Sequence, residues 1–238
     1  MIKIMHKNER ILVVAAHPDD EVLGCGGVIS KARSVNIPVR VIFLAEGITA
    51  RFAPEDFDSQ EVRSKIDRRH RNGTKAMKLL GVDEKEIFFN TRYCCRLDSV
   101  PQIDITKEIE DHIHDFLPTK IYTHSEADAN VDHRCAFWSM LAASRPIPSR
   151  PTVDVLTFEV LSSTEWNPTV PFAPNVFVDI SQWLEAKLAA MVAYEDEMHL
   201  APHPRSEEVI RALATYRGTQ CGVKAAEGFR LVRSLADN

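Results

Sequence analysis

Ile11-Leu12-Val13-Val14-Ala15-Ala16-His17-Pro18-Asp19-Asp20-Glu21 is the stretch on which the reading of this chain turns. A continuous apolar run of strand formers suits a strand covered on both faces, as in a parallel sheet. Pro18 cannot donate to a ladder, so the strand ends there, and Asp20 is placed to cap a new helix. That helix is predicted from about Glu21 to Ser34, with Cys25-Gly26-Gly27 keeping its first turns slim. Pro38 to Leu44 reads as a second strand. Strand, helix and strand in so short a span make a βαβ unit, which calls for parallel pairing.

Working outward, residues 47–60 read as a loop near the sheet edge. A polar helix is predicted from Ser59 to Leu80, closed by Gly81. Ile87-Phe88-Phe89 reads as a strand, Ile103–Phe116 as a helix stopped by Pro118, and Ile121-Tyr122-Thr123 as a strand. His124 to His133 reads as a polar loop, and Cys135 to Ser144 as a helix. Beyond residue 145, prolines punctuate β-rich runs at Val153–Val160 and Asn175–Ile180, read as an antiparallel extension of the sheet. Ser181–His199 and Ser206–Arg217 read as helices. The expected fold is α/β and Rossmann-like: a mostly parallel sheet, helices on both faces, and a β-rich C-terminal extension. Residues 1–238 read as a single domain, with a 1–145 core and a 146–238 C-terminal part.

Bulk properties exclude several classes. With 238 residues, 45% hydrophobic and 26% charged, the composition is that of a globular domain. A net charge of −5 and the lack of a basic stripe argue against nucleic acid as a partner. No apolar run is long enough for a membrane span. The N-terminal Met1 to Arg10 lacks the apolar core of an export signal. Five cysteines, an odd number, with Cys94 and Cys95 adjacent, fit neither a disulfide framework nor a CxxC metal knuckle. Reduced thiols and a cytoplasmic location are the expectation.

Two polar clusters follow parallel strands, at the carboxyl ends where open α/β sheets bind ligands. His17 and Asp20 are three residues apart across a sharp turn, so both can reach one ion. Their N and O donors suit Zn²⁺, although another divalent ion would accept the same set. His133, in Asp132-His133-Arg134, would be the third ligand. The plainer alternative is a capped helix, with Asp19 and Glu21 complementing its dipole. Gly24-Cys25-Gly26-Gly27 does not make a dinucleotide site, because its glycines fall inside the helix rather than in the turn before it.

Ala16-His17-Pro18-Asp19-Asp20-Glu21, then Gly24-Cys25-Gly26-Gly27, and the later Asp132-His133-Arg134 resemble the signature of the PIG-L/LmbE-like deacetylases. The resemblance implies a metal-dependent N-deacetylase, a hydrolase of linear amides. It implies His17, Asp20 and His133 as Zn²⁺ ligands and Asp19 as general base. Relatives usually carry His-x-Asp-His, and that first His helps stabilise the oxyanion. Here Asn130 takes its place: an amide able to donate a hydrogen bond but not a proton. Asp132 would orient a neighbouring group. His124 and Asp128 are further candidates in the same loop.

By the same resemblance, Arg69 sits where relatives place a substrate-contacting arginine, and Asp98 where they place a sugar-binding carboxylate. Phe158–Trp166 and Pro202–Ser206 look like the branch found in bacterial surface-glycan synthesis. Trp166 would stack on a sugar ring, and His203 and Arg205 would close over an anionic or nucleotide-linked substrate. The expected substrate is an N-acetylated amino sugar or nucleotide sugar; homo-oligomerisation stays open. The alternatives are a non-catalytic sugar- or nucleotide-binding protein of this fold and a zinc amidase or esterase acting on another small polar substrate.

Overall fold

The structure, a computed structural model, describes residues 9–148 and 152–235. Most of the N-terminal segment read for an export signal, and Pro151, lie outside the described residues. In chain order the elements are β1 (Ile11–Ala15), α1 (Asp20–Ser34), β2 (Val39–Phe43), α2 (Gln60–Leu79), β3 (Ile87–Phe89), α3 (Gln102–Phe116), β4 (Lys120–His124), α4 (Val131–Ala143), β5 (Asp154–Phe158), β6 (Val176–Asp179), α5 (Leu184–Val192), α6 (Glu207–Thr219) and β7 (Ala226–Arg233). They form one seven-stranded sheet in the order β3-β2-β1-β4-β5-β7-β6.

The β1 sequence shows why the sheet is covered twice. Ile11, Val13 and Ala15 enter one core with Val28, Met77, Leu188 and Ile210, from α1, α2, α5 and α6. Leu12 and Val14 enter the other with Ile109, Ile113, Ala136 and Met140, from α3 and α4. Alternate side chains of a strand point to opposite faces, so an uninterrupted apolar run buries both. The slim start of α1 is required too. A Cβ on Gly24 would lie 2.4 Å from the Phe158 ring, and one on Gly27 would lie 2.7 Å from Ile180. Ser59 and Ser206 cap α2 and α6, accepting from the amides of Val62 and Val209.

Strands β3, β2, β1, β4 and β5 are parallel. From β1 the chain winds outward to β2 and β3, then returns to β4 on the other side of β1. The winding therefore reverses between β1 and β4, and a crevice opens beyond their carboxyl ends.

The structure differs from the sequence reading in three places. β5 joins the parallel sheet, and the antiparallel pairing runs through β7, a strand that periodicity did not reveal. Its half Ala226–Phe229 is buried and its half Arg230–Val232 is exposed, so neither repeat holds over its length. The helix predicted over 181–199 is only Leu184–Val192, followed by a 3₁₀ turn at Glu195–Glu197. Finally, α4 starts at Val131, because the Asn130 side chain accepts the Asp132 amide at 2.8 Å and caps it. His133 is thus in a helical first turn, not a loop.

Candidate metal and acid–base site

The turn after β1 is shaped by Asp20 and Glu21. The Asp20 carboxylate accepts the His17 amide at 2.8 Å, so it folds back rather than capping α1. Asp19, not Asp20, precedes the helix, and it has φ 131°. That conformation is rare for a residue with a Cβ and costs about 1–3 kcal/mol. Buried neighbours hold it: Glu21 Oε2 accepts the Asp19 amide at 2.9 Å, and Arg69 donates to Pro18 O at 2.9 Å. Tyr194 in turn donates to Glu21 at 2.6 Å. Burial pushes the Glu21 carboxyl up to about 8, against the Tyr194 hydrogen bond.

Each candidate histidine ligand has one nitrogen committed to a buried carboxylate. His17 Nε2 is 2.9 Å from Asp132 Oδ2, and His133 Nδ1 is 3.1 Å from Asp128 Oδ2. The remaining nitrogens, His17 Nδ1 and His133 Nε2, both lie 3.3 Å from Asp20 Oδ2. One donor atom from each of His17, Asp20 and His133 falls within 4.8 Å of the others. Carboxylate–imidazole pairing of this kind fixes the tautomer and aims the free lone pair at a cation. The donor set, two imidazoles and one carboxylate, therefore fits a divalent metal ion.

The electrostatics agree. Burial alone would lower His133, but Asp20 and Asp128 raise it to about 9, so the position favours positive charge. Asp128 is held at about 2, because hydrogen bonds from His133, Ser163 and Thr164 outweigh its burial. His124 takes a different place. Its Nε2 accepts the Ala16 amide at 2.8 Å and its ring stacks on His133, with centroids 3.9 Å apart. Burial and the neighbouring His133 push it down to about 3, so it stays neutral with its lone pair in use.

A cavity of about 180 Å³ opens onto this cluster, lined by His17, Asp19, Asp20, Arg69, Asn130, His133, Glu197 and Arg205 among others. The Asp19 carboxylate faces Arg205 Nη1 at 3.1 Å and Arg69 Nη1 at 3.9 Å. Its pKa is raised by burial and by Asp20, with Arg69, Arg205 and His17 pulling the other way. Asn130 spends its amide oxygen on the α4 cap, which turns its NH₂ toward the cavity, where it donates to Cys95 Sγ at 3.9 Å. Asp132 accepts from His17 and from the amides of Cys95 and Leu97, and it is buried behind the cavity wall.

Three of the predicted substrate-binding residues stand off the cavity wall. Asp98 is exposed on a 3₁₀ turn, because burying Leu97 beneath it turns the next side chain to solvent. Trp166 is 61% exposed and lines a separate groove with Asn167 and Pro168. His203 packs against the tilted His199 ring and accepts the Arg205 amide at 3.0 Å, so it shapes the Arg205 loop without reaching the cavity. Arg69 and Arg205 do line it, but Arg69 is 3% exposed and braces the turn.

Sequence reasoning missed Glu197. Fully buried, it receives Arg51, Arg69 and Arg205 and ties α2 and the C-terminal loops to the Asp19 turn. Only an acidic residue ending a run such as Glu195-Asp196-Glu197 marks it in sequence, which reads as a solvated surface. Glu46 was missed as well. It accepts the amides of Ile48, Thr49 and Cys94 and anchors the cavity rim.

Comparisons with known proteins identify the family and the fold. Residues 12–144 match the family described as PIG-L, GlcNAc-PI de-N-acetylase. The diacetylchitobiose deacetylase of Thermococcus kodakarensis is 26% identical over 95% of this chain and 84% of its own length. Among solved structures, the N,N'-diacetylchitobiose deacetylase of Pyrococcus horikoshii superposes with a TM-score of 0.75 at 20% identity, covering 94% of this chain and 84% of that one. GalB, the 4-carboxy-2-hydroxymuconate hydratase of Pseudomonas putida, gives 0.74 at 21% identity, covering 97% and 98%.

Proposed function

This chain belongs to the PIG-L family, and on that premise we propose that it is a zinc-dependent N-deacetylase acting on an acetylated amino sugar, free or nucleotide-linked. The single observation that carries this reading is the paired orientation of His17 and His133, each braced by a buried carboxylate and each offering its other nitrogen beside Asp20. The 26% identical diacetylchitobiose deacetylase supports a sugar substrate. The fold alone does not choose the chemistry, since a hydratase shares it.

His17, Asp20 and His133 would hold the ion, which when bound polarises an acyl carbonyl and acidifies water. Asp19 takes the proton from the attacking water at its carboxylate and returns it to the departing nitrogen. Its position beside the donor cluster and inside the cavity supports that role. Arg205 and Arg69 orient the Asp19 carboxylate. The Asn130 NH₂ donates to the oxygen on which charge develops. Asp132 and Asp128 hold the two imidazoles in their tautomers.

The polar cavity, with arginines on one wall, suits a hydroxyl-rich or anionic substrate, and a role in surface-glycan synthesis is one consistent use. Among the described residues no helix is long and apolar enough to cross a membrane, and all five cysteines are free, in keeping with a reducing cytoplasm. The test is acetate release from a panel of N-acetylated amino sugars and nucleotide sugars. Release that is lost on chelation and restored by zinc supports the reading; release that persists in metal-free protein refutes it. Binding of an acetamido sugar by zinc-loaded protein without acetate release would favour the non-catalytic alternative.

A further inference from the structure

The adjacent thiols Cys94 and Cys95, unexplained by spacing alone, stand beside the described site. Their Sγ atoms are 3.7 Å apart. With one nitrogen of His17 and one oxygen of Asp132 they form a second group of donors, all within 4.8 Å of one another. We propose that Cys94, Cys95 and His17, with Asp132 as fourth donor, form a site for a thiophilic divalent cation that competes with the hydrolytic position for His17.

The geometry is set in advance. Two sulfurs on one tetrahedral ion, each at about 2.3 Å, stand about 3.8 Å apart, close to the spacing seen here. Buried carboxylates fix both backbones: Glu46 accepts the Cys94 amide at 2.8 Å and Asp132 accepts the Cys95 amide at 2.6 Å. Cys95 has φ 58°, a conformation held by that pinning. Cys95 is exposed and both thiols line the cavity, so an ion can reach them. Thiolates favour soft ions over the N and O donors of the hydrolytic set. A disulfide is the poorer use of the pair, because neighbouring Cα atoms lie about 3.8 Å apart and disulfides favour about 4.4–6.8 Å.

Competition follows from the tautomers of one ring. A neutral imidazole has a single lone-pair nitrogen. The nitrogen of His17 facing Asp132 must lose its proton to bind the second ion, which places the ring proton on Nδ1, the atom facing Asp20. On binding, two thiols each release a proton to solvent as two sulfur–metal bonds form, and no electrons are exchanged. Asp132 loses its hydrogen bond from His17 and becomes free to donate to the ion.

The test is a cadmium titration of reduced, metal-free full-length protein, followed by ultraviolet thiolate-to-cadmium charge transfer. Wild type should show the band saturating at one equivalent, and it should be lost in both C94S and C95S; Cys25, Cys135 and Cys221 remain in those variants as internal controls. A band of full amplitude in either variant, no band in wild type, or a Cys94–Cys95 disulfide in protein purified under reductant would overturn the site. The inhibitory consequence rests on the hydrolase reading: cadmium should inhibit wild type and lose that effect in C95S. The absorbance readout stands even if no acetylated sugar is hydrolysed, so the two readings fail separately.

Discussion

The two walls of the cavity are built by different means. On one, the turn after β1 and the segment leading from β4 into α4 carry His17, Asp20, Asp128 and His133, whose side chains are locked by buried hydrogen bonds. On the other, Arg51, Arg69 and Arg205 reach in from a 3₁₀ turn, a helix and a loop, and meet on the single carboxylate of Glu197. The first wall specifies atoms to within a hydrogen bond. The second supplies a buried charge network whose long side chains set the field and position of Asp19.

The largest effect is expected where the walls meet. D19N should retain bound metal while kcat falls by about 10²–10⁴, the usual contribution of a general base; steady-state kinetics beside metal analysis would show it, and near-normal turnover would remove Asp19 from the reaction. Next comes the brace of the first wall. D128A should weaken zinc affinity by about 10–100-fold, as losing a carboxylate behind a ligating imidazole does; competition with a chromogenic chelator measures this, and unchanged affinity would mean that His133 is aimed by something else.

The second wall should answer in stability. E197A leaves three arginines around an empty place, and breaking a buried pair this way costs about 3–5 kcal/mol. Urea unfolding measures it, and a loss below 1 kcal/mol would show the network to be well hydrated. G24A probes the packing under the first wall: its Cβ meets the Phe158 ring, and overpacking costs about 1–3 kcal/mol. Last, D98A should change neither turnover nor stability by more than about 0.5 kcal/mol, since its side chain is exposed and off the cavity; a large KM rise would restore it as a substrate contact.

This contrast also explains what the sequence disclosed. His17, Asp20 and the β1 run are legible together because strand, turn and candidate ligands are contiguous, and His133 is legible because it opens α4, the helix that follows β4. The brace from Asp128 to His133 lies five residues apart and was within reach. Glu197, Glu46 and the contact of Cys94 and Cys95 with His17 were not, because each joins segments far apart in the chain and depends on how loops return over the sheet. Trp166, Asp98 and His203 show the converse: suitable chemistry near a motif, turned aside by the burial of a neighbour or spent on a local contact. β7 was illegible for a related reason, since half of it is core and half is exposed edge.

The proposed function requires His17 Nδ1, Asp20 and His133 Nε2 to share one divalent ion. Anomalous diffraction at the zinc edge, from crystals of the zinc-loaded protein, tests it most directly. One strong peak is expected at about 2.0–2.2 Å from all three donor atoms. A peak bound elsewhere, or none in a protein that still releases acetate, would contradict it.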